Sequence, residues 1–409
     1  MNLSNLLKVV NDMWSNVVSE LLVGFAKLFL HPFVYLFFIA ALCKGYLRVK
    51  RERKHFSTRV FNVSFEWKTS ILYGLFLGVI LSVVSLLVGI SIPIEMVILV
   101  SIITILCTIT LQFRWLSPAY TIGLALIAIP LLNKGVSSLS ILENIVPKDM
   151  NGMLPAVTIL LSLLLLAEGV LVQRNAVNHT SPLLVESKRG KRVGAHEANK
   201  LWLVPIFLLI PNGTIVSDFA WWPILSLGDS GYSILCVPFG IGFYQLMKGM
   251  LPKESIKLVG KQIVSLSLLI CIGGVVSYFV GFVAFVTVAL AIVGREAISY
   301  IHKNRDFNTP SYFTSKAIGL VVLGILPNSV ADKMDIRVGE SITKVNGQSV
   351  STVDEFYNAL QINRAYCKLE VIDFNAEIRI TQCAVYEGDH HELGFIFPEE
   401  ETKYSGEVG

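Results

Sequence analysis

The chain has 409 residues, 53% of them hydrophobic and 16% charged, with a mean hydropathy of +0.63. Soluble domains carry roughly 25% charged residues, and one soluble core cannot absorb this much apolar surface, so lipid must solvate much of the chain. The formal net charge of +4 argues against nucleic acid as a partner, because the Lys and Arg residues sit mostly beside apolar runs.

Residues 1–26 place apolar positions at helical spacing among Lys8, Asp12 and Glu20, which predicts an amphipathic helix lying in the outer membrane interface, with an extra span as the alternative. No basic patch followed by a short apolar core and a small-residue cleavage site is present, so a removable signal peptide is not expected. Apolar runs of about 20 residues, enough to cross a bilayer as helices, then occur near 28–47, 70–91, 94–113, 117–133, 153–172, 201–217, 231–249, 262–277 and 279–296. The expectation is an α-helical polytopic domain of about nine spans covering 27–297, in which 262–296 is either two spans turning near Gly281 or one long tilted helix.

Basic residues next to a span favour the cytoplasmic side. Lys44, Arg48, Lys50, Arg51, Arg53, Lys54 and Arg59 follow the first span, whereas only Lys8 and Lys27 precede it, which puts the N-terminus outside. Alternation from there gives the inner segments Arg114, Arg174, Lys188, Arg192, Lys248, Lys261, Arg295 and Lys303, and leaves the outer ones with Lys134 and Lys148. The outer loop 211–230 holds Asp218, Asp229 and the interface-seeking pair Trp221 and Trp222. The C-terminus is then cytoplasmic.

Beyond 297 the composition turns mixed, with a linker at 298–315, a small β-rich domain at 316–400 and a polar tail at 401–409. Strand-type runs at Leu320–Leu326 and Ser341–Val345, the turn signal Asn346-Gly347, a hydroxyl- and carboxylate-capped helix start at Thr352, and further strands at Lys368–Phe374 and Glu377–Thr381 outline it. The stretch ILPNSVADKMDIRVGESITKVNGQSV resembles the PDZ family in its bacterial, permuted form. That resemblance implies a domain in which a peptide C-terminus adds as a strand beside a helix and a loop of backbone amides holds its carboxylate. No Gly-Leu-Gly-Phe type loop precedes Gly319; the candidate cradle is Leu393, Gly394, Phe395 and Ile396, with Val353 and Tyr357, an i, i+4 pair, on the groove floor. The same residues also suit a plain core helix and a closing strand.

Catalytic and metal chemistry finds no pattern. The His-Glu pair His196-Glu197 has Lys200 where a zinc-binding helix would need a second His, no Ser sits in a nucleophile motif, and the cysteines Cys43, Cys107, Cys236, Cys271, Cys367 and Cys383 form no Cys-x-x-Cys pair. No catalytic residue, metal ligand or cofactor is therefore expected. Glu168, late in an apolar run, is a functional candidate by its place in the membrane, or a side chain reaching the interface. A PDZ-gated protease and a transporter are the alternatives to a scaffold.

The His31-Pro32 entry to the first span, the KGYLRVKRERKHF exit and the ending HHELGFIF together resemble the MinJ family of cell-division topological determinants. The resemblance implies a non-enzymatic adaptor in the cell membrane at poles and division septa, with the cytoplasmic division proteins DivIVA and MinD as partners.

Overall fold

The computed structural model describes residues 3–135, 152–178, 180–188, 190–216, 222–225, 227, 231–314, 319–363, 366–384 and 393–398. Lys148, Asp218, Trp221, Asp229, His390–Glu392 and the polar tail lie outside them. The helices α1 Leu3–Leu28, α2 Pro32–Phe56, α3 Phe65–Val88, α4 Ile94–Ile109, α5 Pro118–Gly135 and α6 Met153–Leu171 precede the strands β1 Ser181–Glu186, β2 Arg192–Ile215 and β3 Tyr232–Met247. After them come α7 Pro252–Phe279 and α8 Phe282–Asn308, so the 262–296 run is two helices turning at Val280 and Gly281.

Among the described residues five helices are long and apolar enough to cross a membrane: α2, α3, α6 with the wide turn that carries it to Ala176, α7 and α8. α4 and α5 are apolar but shorter. Two expected helical spans, 201–217 and 231–249, are strands instead, paired antiparallel from His196↔Met247 to Pro211↔Tyr232. The expectation of nine helical spans is corrected accordingly. Pro205, Pro211 and Pro238 explain the difference, because a proline inside a helix removes a hydrogen bond and clashes with the preceding turn. Pro205 faces Pro238 across the pair, which suits a position where neither residue owes an N–H to the ladder.

A strand at membrane depth needs protein around its edges. α3 supplies it along β2. A Cβ on Gly74 would lie 2.3 Å from Leu203 O, and one on Gly78 2.5 Å from Pro205 O. Ser82 Oγ accepts the Phe207 N–H at 3.0 Å. Past the end of α3, Leu209 N donates to Ile90 O at 3.2 Å and Ile92 N to Leu209 O at 2.9 Å. Four helical residues rise about 6.0 Å and two strand residues about 6.6 Å; small residues four apart on α3 therefore keep step with alternate residues on β2. On the other strand, Gly24 of α1 meets Ile234 O, 2.4 Å from where its Cβ would be.

The interior between sheet and helices is largely apolar, and several of its polar groups are paired across elements. Trp202, fully buried, donates Nε1 to Asn175 Oδ1 at 2.8 Å, and Asn175 Nδ2 reaches Thr69 O at 3.3 Å, tying β2, the wide turn and α3 together. Glu168 on α6 does not reach an interface. It is buried, accepts from Arg295 Nε of α8 at 2.8 Å, and accepts from Ser117 Oγ. Part of the basic exit of α2 is likewise consumed: Arg48 is 7% exposed and pairs with Glu52 at 3.0 Å and Glu66 at 3.1 Å, Lys200 shares Glu66 at 3.1 Å, and Arg51 pairs with Glu197.

The C-terminal domain orders its strands β4 Leu320–Val321, β6 Ser341–Val345, β8 Tyr366–Ile372 and β9 Ile378–Ala384, with β7 Gln348–Ser349 off β6. β5 Gly324–Ile325 pairs separately with β10 Phe395–Ile396. A short helix, α9 Val330–Lys333, and α10 Val353–Gln361 close it. Asn346 and Gly347 take φ of 50° and 87° in the β6–β7 turn, the left-handed conformation that Asn-Gly favours. Thr352 and Glu355 form a reciprocal capping box at the start of α10, worth about 1 kcal/mol.

A candidate peptide groove on a docked domain

The groove elements are set by one aromatic cluster. Phe356 of α10 is fully buried, and its ring meets Phe395 at 5.7 Å and Phe397 at 5.0 Å, both edge-on. Helix and strand thus share a core, against which Val353, Tyr357 and Leu360 of α10 also pack, each half-buried. The expected pair Val353 and Tyr357 does lie on the helix next to β10.

β10 is bonded along one edge. Leu326 N donates to Gly394 O and Leu323 N to Ile396 O, each at 2.8 Å, so Gly394 and Ile396 turn their backbone toward β5. Residues alternate along a strand, which turns the backbone of Phe395 to the opposite edge, where no described strand pairs with it. The side chains of Leu393, Phe395 and Ile396 are buried; they form core, and what this segment leaves without a partner strand among the described residues is its second backbone edge.

The turn before β10 is left-handed twice, at Leu393 (φ 50°) and Gly394 (φ 89°). Successive turned amides of this kind make concave anion sites. Leu393 O accepts Ala331 N at 3.0 Å, which fixes the turn to α9. A Cβ on Gly394 would come within 2.2 Å of Ser329. At the far end of the groove Glu355 accepts Ser351 N at 2.7 Å and Ser351 Oγ at 2.8 Å. Those bonds, with the Thr352 amide, hold its carboxyl below the usual range.

The domain is mounted on the membrane region, a feature with no local sequence signal. Val321, Leu323, Leu326 and Ile396 pack with Val60 of the α2–α3 connection and Phe313 of the segment after α8. Gly194 N donates to Phe313 O at 3.0 Å and Tyr312 N to Lys248 O at 2.7 Å. His196 Nε2 donates to Leu323 O at 2.7 Å, while Nδ1 accepts from Thr180 Oγ1 at 2.9 Å. Burial pushes the His196 imidazole down to about 4, against the Leu323 bond, which favours its proton. Of the sequence-derived pair His196-Glu197, one residue is thus a domain contact and the other an ion-pair partner of Arg51.

Comparison with known proteins agrees with both halves of this architecture. Residues 321–371 match the family model of the PDZ domain. The chain is 39% identical over 387 residues to the cell division topological determinant MinJ of Bacillus subtilis (strain 168), covering 94% of this chain and 96% of that protein. It is 25% identical over 254 residues to the probable cell division topological determinant MinJ of Lacticaseibacillus paracasei, covering 59% of this chain and 65% of that protein. No solved structure matches it. An alignment of 387 residues takes in the helices, the strand pair and the PDZ domain together, and on that extent the chain belongs to the MinJ family of cell division topological determinants.

Proposed function

We propose that this chain is a non-enzymatic membrane scaffold that gathers division regulators at cell poles and division sites and so helps to place the septum. The observation that carries the proposal is the edge of β10 that no described strand pairs, beside the half-buried stripe of Val353, Tyr357 and Leu360, on a domain whose other face packs on Val60 and Phe313 of the helical region. A partner segment would add to β10 as a strand, its apolar side chain against Val353 and Tyr357 and its terminal carboxylate at the Leu393-Gly394 turn. Tethering several such partners to one platform raises their effective concentration without demanding tight single contacts.

The distribution of Lys and Arg supports an outer N-terminus and a cytoplasmic PDZ domain. The family resemblance supports DivIVA and MinD as the proteins brought together. A fluorescent fusion to the C-terminus, followed through the division cycle, should concentrate at poles and septa. A uniform membrane signal at every stage would overturn the scaffold reading. For the groove, Val353→Asp combined with Tyr357→Ala should abolish capture of PDZ-dependent partners while the domain still melts cooperatively, and retention of every partner would refute it.

A further inference from the structure

β3, the turn at 112–114 that follows α4, and the last turns of α8 line a cavity of about 660 Å³ that shares no lining residue with the PDZ groove. Pockets for small ligands run from roughly 300 to 1,000 Å³. Its charged lining is lopsided once existing partners are subtracted. Glu197 is held by Arg51, and Asp306 accepts the backbone N–H of Lys248 at 3.1 Å and of Gly249 at 2.8 Å. Among the cations, Arg295 is held by Glu168 and Arg114 by Glu296. Lys44, Lys248 and Lys303 line the same cavity and enter no ion pair among the described residues. Glu186, exposed, and Asp306, whose amide donors leave its charge in place, are the remaining carboxylates, two against three lysines.

Lys44 and Lys248 are half-buried, and a partly desolvated charge is costly; Glu197, itself paired with Arg51, attracts Lys44 without forming an ion pair with it. Aromatic rings already compensate some of that cost: Lys44 Nζ lies 5.6 Å from the Phe113 centroid and Lys248 Nζ 4.8 Å from that of Phe307. Both rings also line the cavity. Lysines converging on an apolar wall suit an anion that carries hydrocarbon. The outer surface of α8 bears the exposed side chains Val293, Tyr300, Ile301 and Phe307 at 52–66% exposure, an apolar track running to the level of Lys303 on a helix of spanning length.

We propose that this cavity binds the phosphate headgroup of an anionic phospholipid, with the phosphate among Lys44, Lys248 and Lys303 and the acyl chains along α8. Basic pockets between spanning helices bind lipid headgroups in this way. The ligand chemistry is a phosphate ester, and a soluble phosphate ester is its other source.

The test uses the full-length protein in detergent, with native mass spectrometry reading bound lipid during titration with dioleoyl phosphatidylglycerol or dioleoyl phosphatidylcholine. Phosphatidylglycerol should be retained in preference to phosphatidylcholine, with retention falling about five-fold for each lysine changed to Gln. The triple variant Lys44→Arg, Lys248→Arg, Lys303→Arg should keep the preference. Lys303→Gln alone changes an exposed side chain and keeps the test decisive if the triple Gln variant does not fold. Equal retention by wild type and Lys303→Gln, or no preference for the anionic lipid, would overturn the proposal. Displacement of bound lipid by millimolar glycerol 3-phosphate would overturn the lipid assignment in favour of a soluble ester.

Discussion

His196 on β2 donates its Nε2 proton to the carbonyl of Leu323, 127 residues later in the chain, at 2.7 Å. Through that bond and the apolar contacts around Phe313, the hairpin carries the PDZ domain as a fixed attachment. Orientation of the groove relative to the membrane helices follows from this contact.

The contact should loosen in acid. His196 titrates near 4 in the folded protein against 6.5 when exposed. Its folded pKa is depressed, so the unfolded or undocked state takes up the proton first. Docking is favoured in full above about pH 6.5 and loses on the order of 3 kcal/mol as pH falls to about 4. Proteolysis of the 309–314 segment at graded pH should show cleavage rising through that window. His196→Gln, which can still donate to Leu323 O, should flatten the profile; an unchanged profile would remove His196 as its cause.

Replacing Gly74 with Leu should cost more than 3 kcal/mol, since even its Cβ would sit 2.3 Å from the Leu203 carbonyl and rigid strand backbone cannot yield as side chains do. Gly78→Leu should behave alike. Ser82→Ala removes the acceptor of the Phe207 N–H and should cost about 1–3 kcal/mol as a buried donor is left unpaired. Melting temperatures of the detergent-solubilised protein order the three, and equal melting of Gly74→Leu and wild type would argue against α3 covering the strand edge.

Local chemistry made parts of this fold readable in advance. Asn346-Gly347 and the Thr352–Glu355 box are short-range devices whose residues determine their own geometry, and both stand where expected. The 262–296 run, which apolar length left open between two spans and one long helix, resolves into two helices turning at Gly281. Apolar length alone misled at 201–217 and 231–249, because a run of that length cannot distinguish a lone helix from a strand wrapped in helices. Pro205, Pro211 and Pro238 were the signal that distinguishes them. The small residues Gly74, Gly78 and Ser82 resemble a helix-dimer stripe, and only the partner strand reveals their role. Leu393–Ile396 was readable as a segment facing α10, whereas docking through Leu323 and Ile396 depends on contacts too distant in sequence to leave a pattern.

Glu168 and Arg295 are 0% and 2% exposed and joined at 2.8 Å. Removing one charge strands the other, so Glu168→Gln or Arg295→Met should each cost roughly 3–5 kcal/mol. The double variant Glu168→Leu, Arg295→Met replaces the pair by apolar bulk and should recover most of that loss. A double-variant melting temperature no higher than either single would show that the pair stabilises the fold beyond mutual neutralisation, through its bonds to Ser117 and Ser299.

Adjacent positions on α10 should separate folding from recognition. Phe356 fills the space between α10 and β10, meeting both Phe395 and Phe397, and truncation to Ala should cost about 3–5 kcal/mol with loss of the domain's melting transition. Tyr357, one residue on, is half-buried against the same core and loses less on truncation, on the order of 1 kcal/mol. If the open edge of β10 receives partner strands, Tyr357→Ala should nonetheless abolish partner capture in pull-downs from membranes while the domain still melts cooperatively. Should Tyr357→Ala keep every partner while Phe356→Ala loses them all, capture would follow domain folding alone, and the recognition surface would have to be sought elsewhere than between α10 and β10.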